Sequence, residues 1–245
     1  MIIQAGKRKS FFFVFLFFNF SSFCQINSGK IIYERKTNLE KKYKEYTSDW
    51  MIEFLESNKS KTDLFELNFS DSISNFTPIE KEEEDEDSWA TNNNSTYQNF
   101  NSNSKISKVV IFGDEIIVKS EIANRIWKIT DSKRMIGIYE CRKAFVVMED
   151  SSKIYAWFSN EILPSVGPEG FCGLPGAILG LATEDGGVVY FAKSVILSEV
   201  KEGSLHVKFK DKGILTRAEF EEKLNQLLGD IKEDIIYRAN LTRWM

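Results

Sequence analysis

The sequence has 245 residues, of which 42% are hydrophobic and 28% charged, and its formal net charge is −4 at pH 7. This length and apolar content predict one folded domain of ordinary size and exclude a wholly disordered chain. The acidic balance disfavours nucleic acid and anionic lipid headgroups, so we expect no nucleic-acid partner.

Residues 1–24 have the three parts of a secretory signal peptide. A Lys-Arg-Lys triplet at 7–9 precedes an unbroken apolar run at Phe11–Phe18, and mostly small residues lead to Cys24. The apolar run is too short to span a bilayer well. We therefore predict cleavage between Cys24 and Gln25 and export to the periplasm or cell envelope. Acylation of Cys24 is the alternative, and membrane association is expected only in that case.

The remaining chain, 25–245, is predicted to be a single domain. Loss of the signal peptide takes away three positive charges and no acidic one, which shifts the formal net charge from −4 to −7. Export permits a disulfide between Cys141 and Cys172, although the apolar strand pattern around Cys141 favours a buried free thiol. His206 is the one histidine of the chain, which argues against a histidine-rich metal site. We predict no metal and no cofactor.

Three strands are predicted before an insert. Residues 29–37 read as the first, the alternation of Trp50, Ile52 and Phe54 indicates the second, and residues 64–69 form the third. The composition then changes to an acidic run at Glu80–Asp87 followed by an Asn/Ser-rich stretch. Neither part carries enough apolar surface to offset its ordering entropy. The sequence therefore predicts a mobile insert at about Pro78–Lys105.

Period-two patterns resume after the insert and predict strands at 108–112, 115–120, 125–130, 154–159, 187–200 and 204–210, with a long strand or bent pair at 135–148. Gly113-Asp114 is a tight hairpin signal. No alternation of strands with helices is present, so the pattern indicates an antiparallel sheet or barrel and disfavours a parallel sheet.

The C-terminal part predicts helix instead. Thr216 and Glu219 match a capping box, and Phe220, Leu224, Leu227 and Leu228 recur at helical spacing up to Gly229. A second helical piece is predicted at 231–239. These helices are expected to pack on one face of the sheet.

A Gly/Pro-rich run at 161–187 holds three of the four prolines of the chain. It lacks the Lys-Ser/Thr of a phosphate loop and the Gly-x-Ser-x-Gly of a hydrolase elbow. Pro175 and Gly176 suit the two central positions of a type II turn over Leu174–Ala177, with positive φ at Gly176. Gly173 is interpreted as a point where another segment passes close by. The turn is expected to begin an apolar strand at 177–182.

A family resemblance is carried by several spaced motifs: GKIIYERK near the mature start, then WKIT and IGIYECRKA, then AWFSNEILPSVGPEGFCGLPGAILGL. The chain resembles the GLPGLI family of small exported bacterial envelope proteins, whose hexapeptide here comprises Gly173, Leu174, Pro175, Gly176, Ala177 and Ile178, with Ala177 in place of the usual Leu. That family is similar to the bowl-like N-terminal domain of a secreted bacterial peptide N-glycosidase. The resemblance implies a mainly β fold of the α+β type: a curved antiparallel sheet or bowl-like half-barrel closed by helices. It implies no established reaction, cofactor or catalytic residue.

The favoured functional hypothesis is a noncatalytic binding or accessory module of the cell envelope. A curved sheet offers a concave face for a lipid, a peptide or a partner loop. Candidate binding residues are the aromatics Trp127, Tyr139, Tyr155 and Trp157, together with Pro168 and Phe171 of a loop edge. For any single one of these aromatics, a place in the core is the favoured interpretation.

Two other hypotheses stay open. The chain is an assembly partner of an outer-membrane protein, with the acidic insert as a docking arm; or it is a hydrolase. A hydrolase could use a nucleophile–base pair made of Cys141 or Cys172 with His206. It could instead use the paired carboxylates Glu161 and Glu169. The spacing of the residues supports neither pair. Whether the chain is an enzyme is thus undecided, and no catalytic residue is assigned.

Overall fold

The computed structural model describes residues 27–46, 48–80, 86–111, 113–198, 200, 205 and 213–228. These residues form a mainly β protein with one open, curved 12-stranded sheet and a C-terminal helix. The predicted fold class is therefore confirmed. The predicted signal peptide at 1–24, the predicted strand at 204–210 apart from Leu205, and the predicted helical piece at 231–239 lie outside the described residues, as does His206.

The strands are Gly29–Asn38 (β1), Ser60–Phe69 (β2), Ile73–Pro78 (β3), Ser95–Asn99 (β4), Ser104–Ile111 (β5), Asp114–Glu121 (β6), Lys128–Ile136 (β7), Tyr139–Val147 (β8), Lys153–Ser159 (β9), Ala177–Thr183 (β10), Val188–Leu197 (β11) and Ile214–Thr216 (β12). Their order across the sheet is β12-β6-β5-β4-β3-β2-β1-β11-β10-β9-β8-β7. All neighbours are antiparallel except β12 and β6, which are parallel. Because β1 pairs with both β2 and β11, the first strand lies in the middle of the sheet.

Alternating burial along the central strands defines the core face. In β1, Ile31, Tyr33 and Arg35 are buried while the residues between them are partly exposed. In β2, Asp63 and Phe65 are buried with the same period. Successive side chains of a strand point to opposite faces, so this face carries both apolar and charged side chains into the interior.

A helix replaces the predicted second strand. Residues Asp49–Ser57 form helix α2, which follows the short helix α1 at Leu39–Lys42. The segment DWMIEFLES satisfies a period of 3.6 as well as a period of two, because Trp50 and Phe54 are four residues apart. Met51 is buried against α1, and this contact favours the helix over the strand. The prediction of a strand here was wrong.

The C-terminal helix α3, Arg217–Leu227, is confirmed together with its capping box. The Thr216 side chain accepts from the Glu219 backbone, and the Glu219 carboxylate accepts from the Thr216 backbone. Phe220 and Leu224 pack on apolar side chains of β5 and β6. Within the described part of the chain, no helix is long and apolar enough to cross a membrane.

The predicted insert at Pro78–Lys105 is largely part of the sheet. Strand β4 lies within it and pairs with β3 and β5. A polar residue is tolerated inside β4 because it has a partner: Ser74 donates to Gln98 at 3.0 Å. The segment before β4 is also anchored, since Lys61 donates to the carbonyl of Asp87. The interpretation as a mobile insert is corrected for residues 86–105, and residues 81–85 lie outside the described part.

Candidate functional site

The GLPGAI hexapeptide forms a rigid corner before β10. Gly176 has φ +142°, and a Cβ there would lie 2.0 Å from the carbonyl oxygen of Ser159. The predicted positive φ is confirmed. The predicted type II turn would have the amide of Ala177 donate to the carbonyl of Leu174. Instead, the amide of Gly176 donates to the carbonyl of Leu174 at 2.8 Å, which makes a tighter turn, and the amide of Ala177 donates to the carbonyl of Ile162 at 2.9 Å. Gly173 also needs positive φ, +94°, whereas a Cβ there would meet Trp127 only at an ordinary 3.5 Å.

The residues before this corner form a buried segment. We call residues 162–174 the Gly-Pro segment. Ile162, Val166, Phe171 and Leu174 belong to the main hydrophobic core. A loop so deeply buried needs partners for its backbone, and the sheet supplies one where Gln98 donates to the carbonyl of Gly170 at 3.1 Å.

The sheet curves around the Gly-Pro segment. Glu169 accepts a hydrogen bond from Tyr190 of β11, and the next residue, Gly170, accepts from Gln98 of β4. Four strand intervals separate β4 from β11, about 19 Å on a flat sheet. Glu169 and Gly170 are neighbours in sequence and yet contact β11 and β4 respectively, so the sheet must bend toward the Gly-Pro segment. The concave face expected to hold a ligand is thus occupied by the chain itself.

A buried charge cluster surrounds the tip of this segment. Its members are less than a tenth exposed and comprise Arg35, Asp63, Lys105 and Glu169. Arg35 pairs with Asp63 at 2.6 Å, and its guanidinium lies 4.6 Å from the ring centroid of Phe65. Lys105 donates to the carbonyl of Glu169 at 3.4 Å. Buried charges persist when they are paired in this way.

The cluster alters the acidity of its members. Burial raises the pKa of Glu169, and Arg35, Tyr190 and Lys105 oppose that rise. Burial, together with the Glu169 carboxylate, raises the pKa of Tyr190 well above its usual value. Burial and the nearby Arg125 guanidinium lower the pKa of Lys105 to about 7.

Shifted pKa values of this kind are typical of active sites, but this cluster is closed. Tyr190 is 0% and Glu169 3% exposed, so no substrate reaches them in this conformation. Glu169 also has a left-handed φ of +55°, a strain that the surrounding contacts must hold. The arrangement suits a clamp that fixes the Gly-Pro segment to the sheet.

Both described cysteines are free and buried. Burial and the Glu161 carboxylate raise the pKa of Cys141 to about 11, and burial raises the pKa of Cys172. The thiolate is the reactive form, so these shifts work against a nucleophilic role. The carboxylates Glu161 and Glu169 do not share partners: Glu161 accepts from the amide of Glu140 at the surface, while Glu169 is inside.

We predict that both thiols react slowly in the folded protein. At neutral pH a thiol with a pKa near 11 carries roughly 100-fold less thiolate than an ordinary one. Peptide mass spectrometry after timed exposure to iodoacetamide measures the labelling of Cys141 and Cys172 separately. Unfolding in guanidinium should accelerate both, and equal rates in the folded and unfolded protein would contradict the burial described here.

An open cleft of about 840 Å³ lies between the two ends of the sheet. Its walls come from the end of β6, the connection to β7, the end of β8 and the start of α3: Ser120, Glu121, Ala123, Asn124, Arg125, Ile126, Lys128, Val146, Val147, Met148, Glu149, Asp150, Arg217 and Glu221. Since β6 and β8 each stand second from an end of the sheet, the cleft is the gap that remains where the curved sheet fails to close.

The Gly-Pro segment supports one wall of the cleft. The Arg125 guanidinium lies 4.1 Å from the ring centroid of Phe171 and contacts the carbonyl of Gly170 at 3.5 Å. Trp127 donates to the carbonyl of Cys172 at 2.9 Å and meets Phe171 edge-on at 6.2 Å. Arg125 is therefore the residue that joins the buried segment to the open cavity.

Three of the six predicted binding residues lie at this wall or behind it. Phe171 is fully buried and Pro168 is buried in the Gly-Pro segment, so neither forms an exposed recognition edge. Trp127 is half-buried against Cys172. These residues position the cleft wall without lining the cavity.

The other three are divided between two environments. Tyr139 belongs to the main core. Tyr155 and Trp157 are half-buried and alternate along β9 with the buried Ile154, Ala156 and Phe158, which places the two on the opposite face of the sheet. The structure does not bring the predicted aromatics together on one concave face.

Part of the charge cluster is visible in the alternation of the first two strands. Arg35 has the same parity in β1 as Ile31 and Tyr33, and Asp63 has the same parity in β2 as Phe65. A charged residue at an inward position of an alternating strand indicates a buried partner of opposite charge. Lys105 and Glu169 had no such signal, because they come from segments interpreted as loops.

Fold and site together define a curved-sheet protein whose concave face is filled by its own chain and whose open cavity lies between the sheet ends. No protein-family model matches the chain, and no curated protein matches it. Two solved structures of PNGF-II, in space groups C2 and P21, are similar to it, with TM-scores of 0.51 and 0.50 and sequence identities of 15% and 14%. Both cover 80% of this chain, which spans 32% of PNGF-II. An uncharacterized conserved protein from Thermus thermophilus aligns with a TM-score of 0.40 at 8% identity, over 78% of this chain and 91% of that one.

Proposed function

We propose that this chain is a noncatalytic binding or accessory module that holds its ligand in the cleft between the two ends of the sheet. The observation that carries the proposal is the cleft volume of about 840 Å³, which lies within the range of roughly 300–1,000 Å³ typical of ligand sites. The concave face cannot take that role while residues 162–174 fill it.

The lining favours a ligand with both charged and apolar groups. Ile126 and Val147 are exposed in the cleft, and charges of both signs surround them. Arg217 is paired with Glu221 at 2.7 Å, whereas Arg125 rests on the Phe171 ring and keeps its charge available. Among the partners expected from sequence, a peptide segment of another protein suits this mixture better than a simple lipid.

We also propose membership of the GLPGLI family and export to the cell envelope, with cleavage near Cys24. The support is the set of motifs in order and the mainly β fold with a rigid corner at Pro175 and Gly176. An assembly partner of an outer-membrane protein remains the alternative of the same kind. A hydrolase is less well supported, because the thiols have raised pKa values and Glu169 is enclosed.

Native mass spectrometry of the protein, isolated without denaturation from its own cells, tests the binding function. We expect a species heavier than the chain alone in the wild type. Ile126→Asp places a charge in the cleft at a side chain that is 83% exposed, so folding should be unaffected while the bound species falls at least about fivefold.

The matched control is Ile138→Asp. Ile138 is 81% exposed and does not line the cleft, so the bound species should persist. A wild type that carries no bound molecule, or equal retention in the two variants, would contradict the cleft as the binding site.

A further inference from the structure

A second surface lies at the β7–β11 end of the sheet, where two of its half-buried rings, Trp157 and Phe191, also pack against the main core. Four half-buried rings on β8, β9 and β11 form it: Phe145, Tyr155, Trp157 and Phe191. Phe145 and Tyr155 are 6.0 Å apart between centroids, and Trp157 and Phe191 are 6.1 Å apart. Trp157 and Phe191 both pair with Gly180 of β10, so the rings follow a row across the strands.

Three cations lie over these rings. Lys143 is 4.2 Å from the centroid of Tyr155, and Arg134 is 4.9 Å from that of Phe191 and 5.3 Å from that of Trp157. Lys128 is 5.9 Å from the centroid of Phe145. We call the four rings with Lys128, Arg134 and Lys143 the cation–ring strip.

These three cations differ from their neighbours in what they contact. Three other lysines in this part of the sheet have carboxylate partners: Lys133 with Glu140 at 2.8 Å, Lys153 with Glu184 at 2.7 Å and Lys193 with Glu34 at 3.0 Å. Among the described residues, no carboxylate lies within 4.0 Å of the charged groups of the strip cations. A ring holds a cation in place without neutralising its charge.

The strip therefore presents uncompensated positive charge on a protein whose formal net charge is −4. It crosses from β7 to β11, which are four strand intervals apart, or about 19 Å. Its rings fall within two adjacent rows of paired residues, whereas its cations come from β7 and β8, with Lys128 and Arg134 at separate points along β7. Three charged groups spread over a band of rings match a linear polyanion better than a single small anion.

We propose that the cation–ring strip binds an extended, carboxylate-rich polypeptide. In an extended chain, side chains on one side repeat at about 6.6 Å, so about six residues span the strip and direct about three carboxylates toward it. The cations lie over the ring faces. Stacking of nucleic-acid bases would require those faces to be open, so we expect the strip to recognise charge. The proposal does not depend on the cleft, although Lys128 lies at the junction of both.

Fluorescence anisotropy with labelled poly-L-glutamate at low salt tests the proposal on the full-length protein. Arg134→Gln combined with Lys143→Gln should weaken binding at least about tenfold. The control is Lys133→Gln combined with Lys153→Gln, which removes the same charge from carboxylate-paired lysines and should change binding less than about twofold. Lys128 is left intact, so a result here is independent of the cleft.

A charge-retaining double variant tests whether the effect comes from charge or from packing. Arg134→Lys with Lys143→Arg retains the charges and should retain binding, which separates charge from loss of packing. Equal weakening in the strip and control variants would overturn the proposal, as would absence of binding to the wild type. Tighter binding of single-stranded DNA or of anionic vesicles through the same two cations would overturn the choice of partner.

Discussion

Replacement of Arg35 by methionine is expected to lower the free energy of unfolding by about 3–5 kcal/mol. Asp63, 2.6 Å from the Arg35 guanidinium, would then be a buried carboxylate without its partner, and Glu169 would lose a favourable charge. Methionine fills much of the same space, so the loss reports charge pairing more than cavity formation. Urea unfolding followed by circular dichroism measures the change.

The control for this prediction is Arg217→Met. Arg217 and Glu221 form an exposed pair four residues apart in α3, and such pairs contribute about 0.5 kcal/mol or less. The double variant Arg35→Met, Asp63→Leu should regain much of the loss, because no uncompensated charge remains at that pair. An Arg35→Met protein within about 1 kcal/mol of wild type would refute the role given to the cluster.

The second large effect is expected at Gly176. An alanine Cβ there would lie 2.0 Å from the backbone oxygen of Ser159, at φ +142°. The Cβ is fixed to the backbone of residue 176 and the oxygen belongs to the backbone of Ser159, so neither can rotate away. The backbone of the corner must shift, which should lower the free energy of unfolding by about 2–4 kcal/mol. Thermal unfolding should report a clear fall in melting temperature for Gly176→Ala.

Gly137→Ala separates the clash from the backbone conformation. Gly137 also has positive φ, +57°, but nothing lies within 4 Å of a Cβ there. Its alanine variant should lose only about 1 kcal/mol. Similar losses for the two variants would show that the close approach to Ser159 contributes little.

The sequence predicts those parts of the fold whose signals are local. Alternation in β1 and β2, the Gly113-Asp114 hairpin and the Thr216 capping box each appear within a few residues of chain. The corner at Gly176 is of the same kind, since Pro and Gly restrict their own backbone. The curved sheet follows from many such strands without crossover helices.

Long-range packing decided the rest. The second strand prediction failed because Met51 packs on α1, a contact absent from any local period. The insert was misjudged because β4 is polar and gains stability from neighbours on β3 and β5. The buried charge cluster was not predicted for the same reason: nothing near Glu169 in sequence indicates that Arg35 and Tyr190 surround it.

Hydrogen–deuterium exchange tests the central claim most directly. It compares the protein as isolated with its bound molecule against the same protein after that molecule is removed. We predict slow exchange at residues 166–178 in both states, because the amides of Phe171, Ala177 and Ile178 are buried and hydrogen-bonded. Protection should change at 120–128 and 146–150, which line the cleft. Changes confined to 162–174 would instead place the ligand on the concave face and contradict the account.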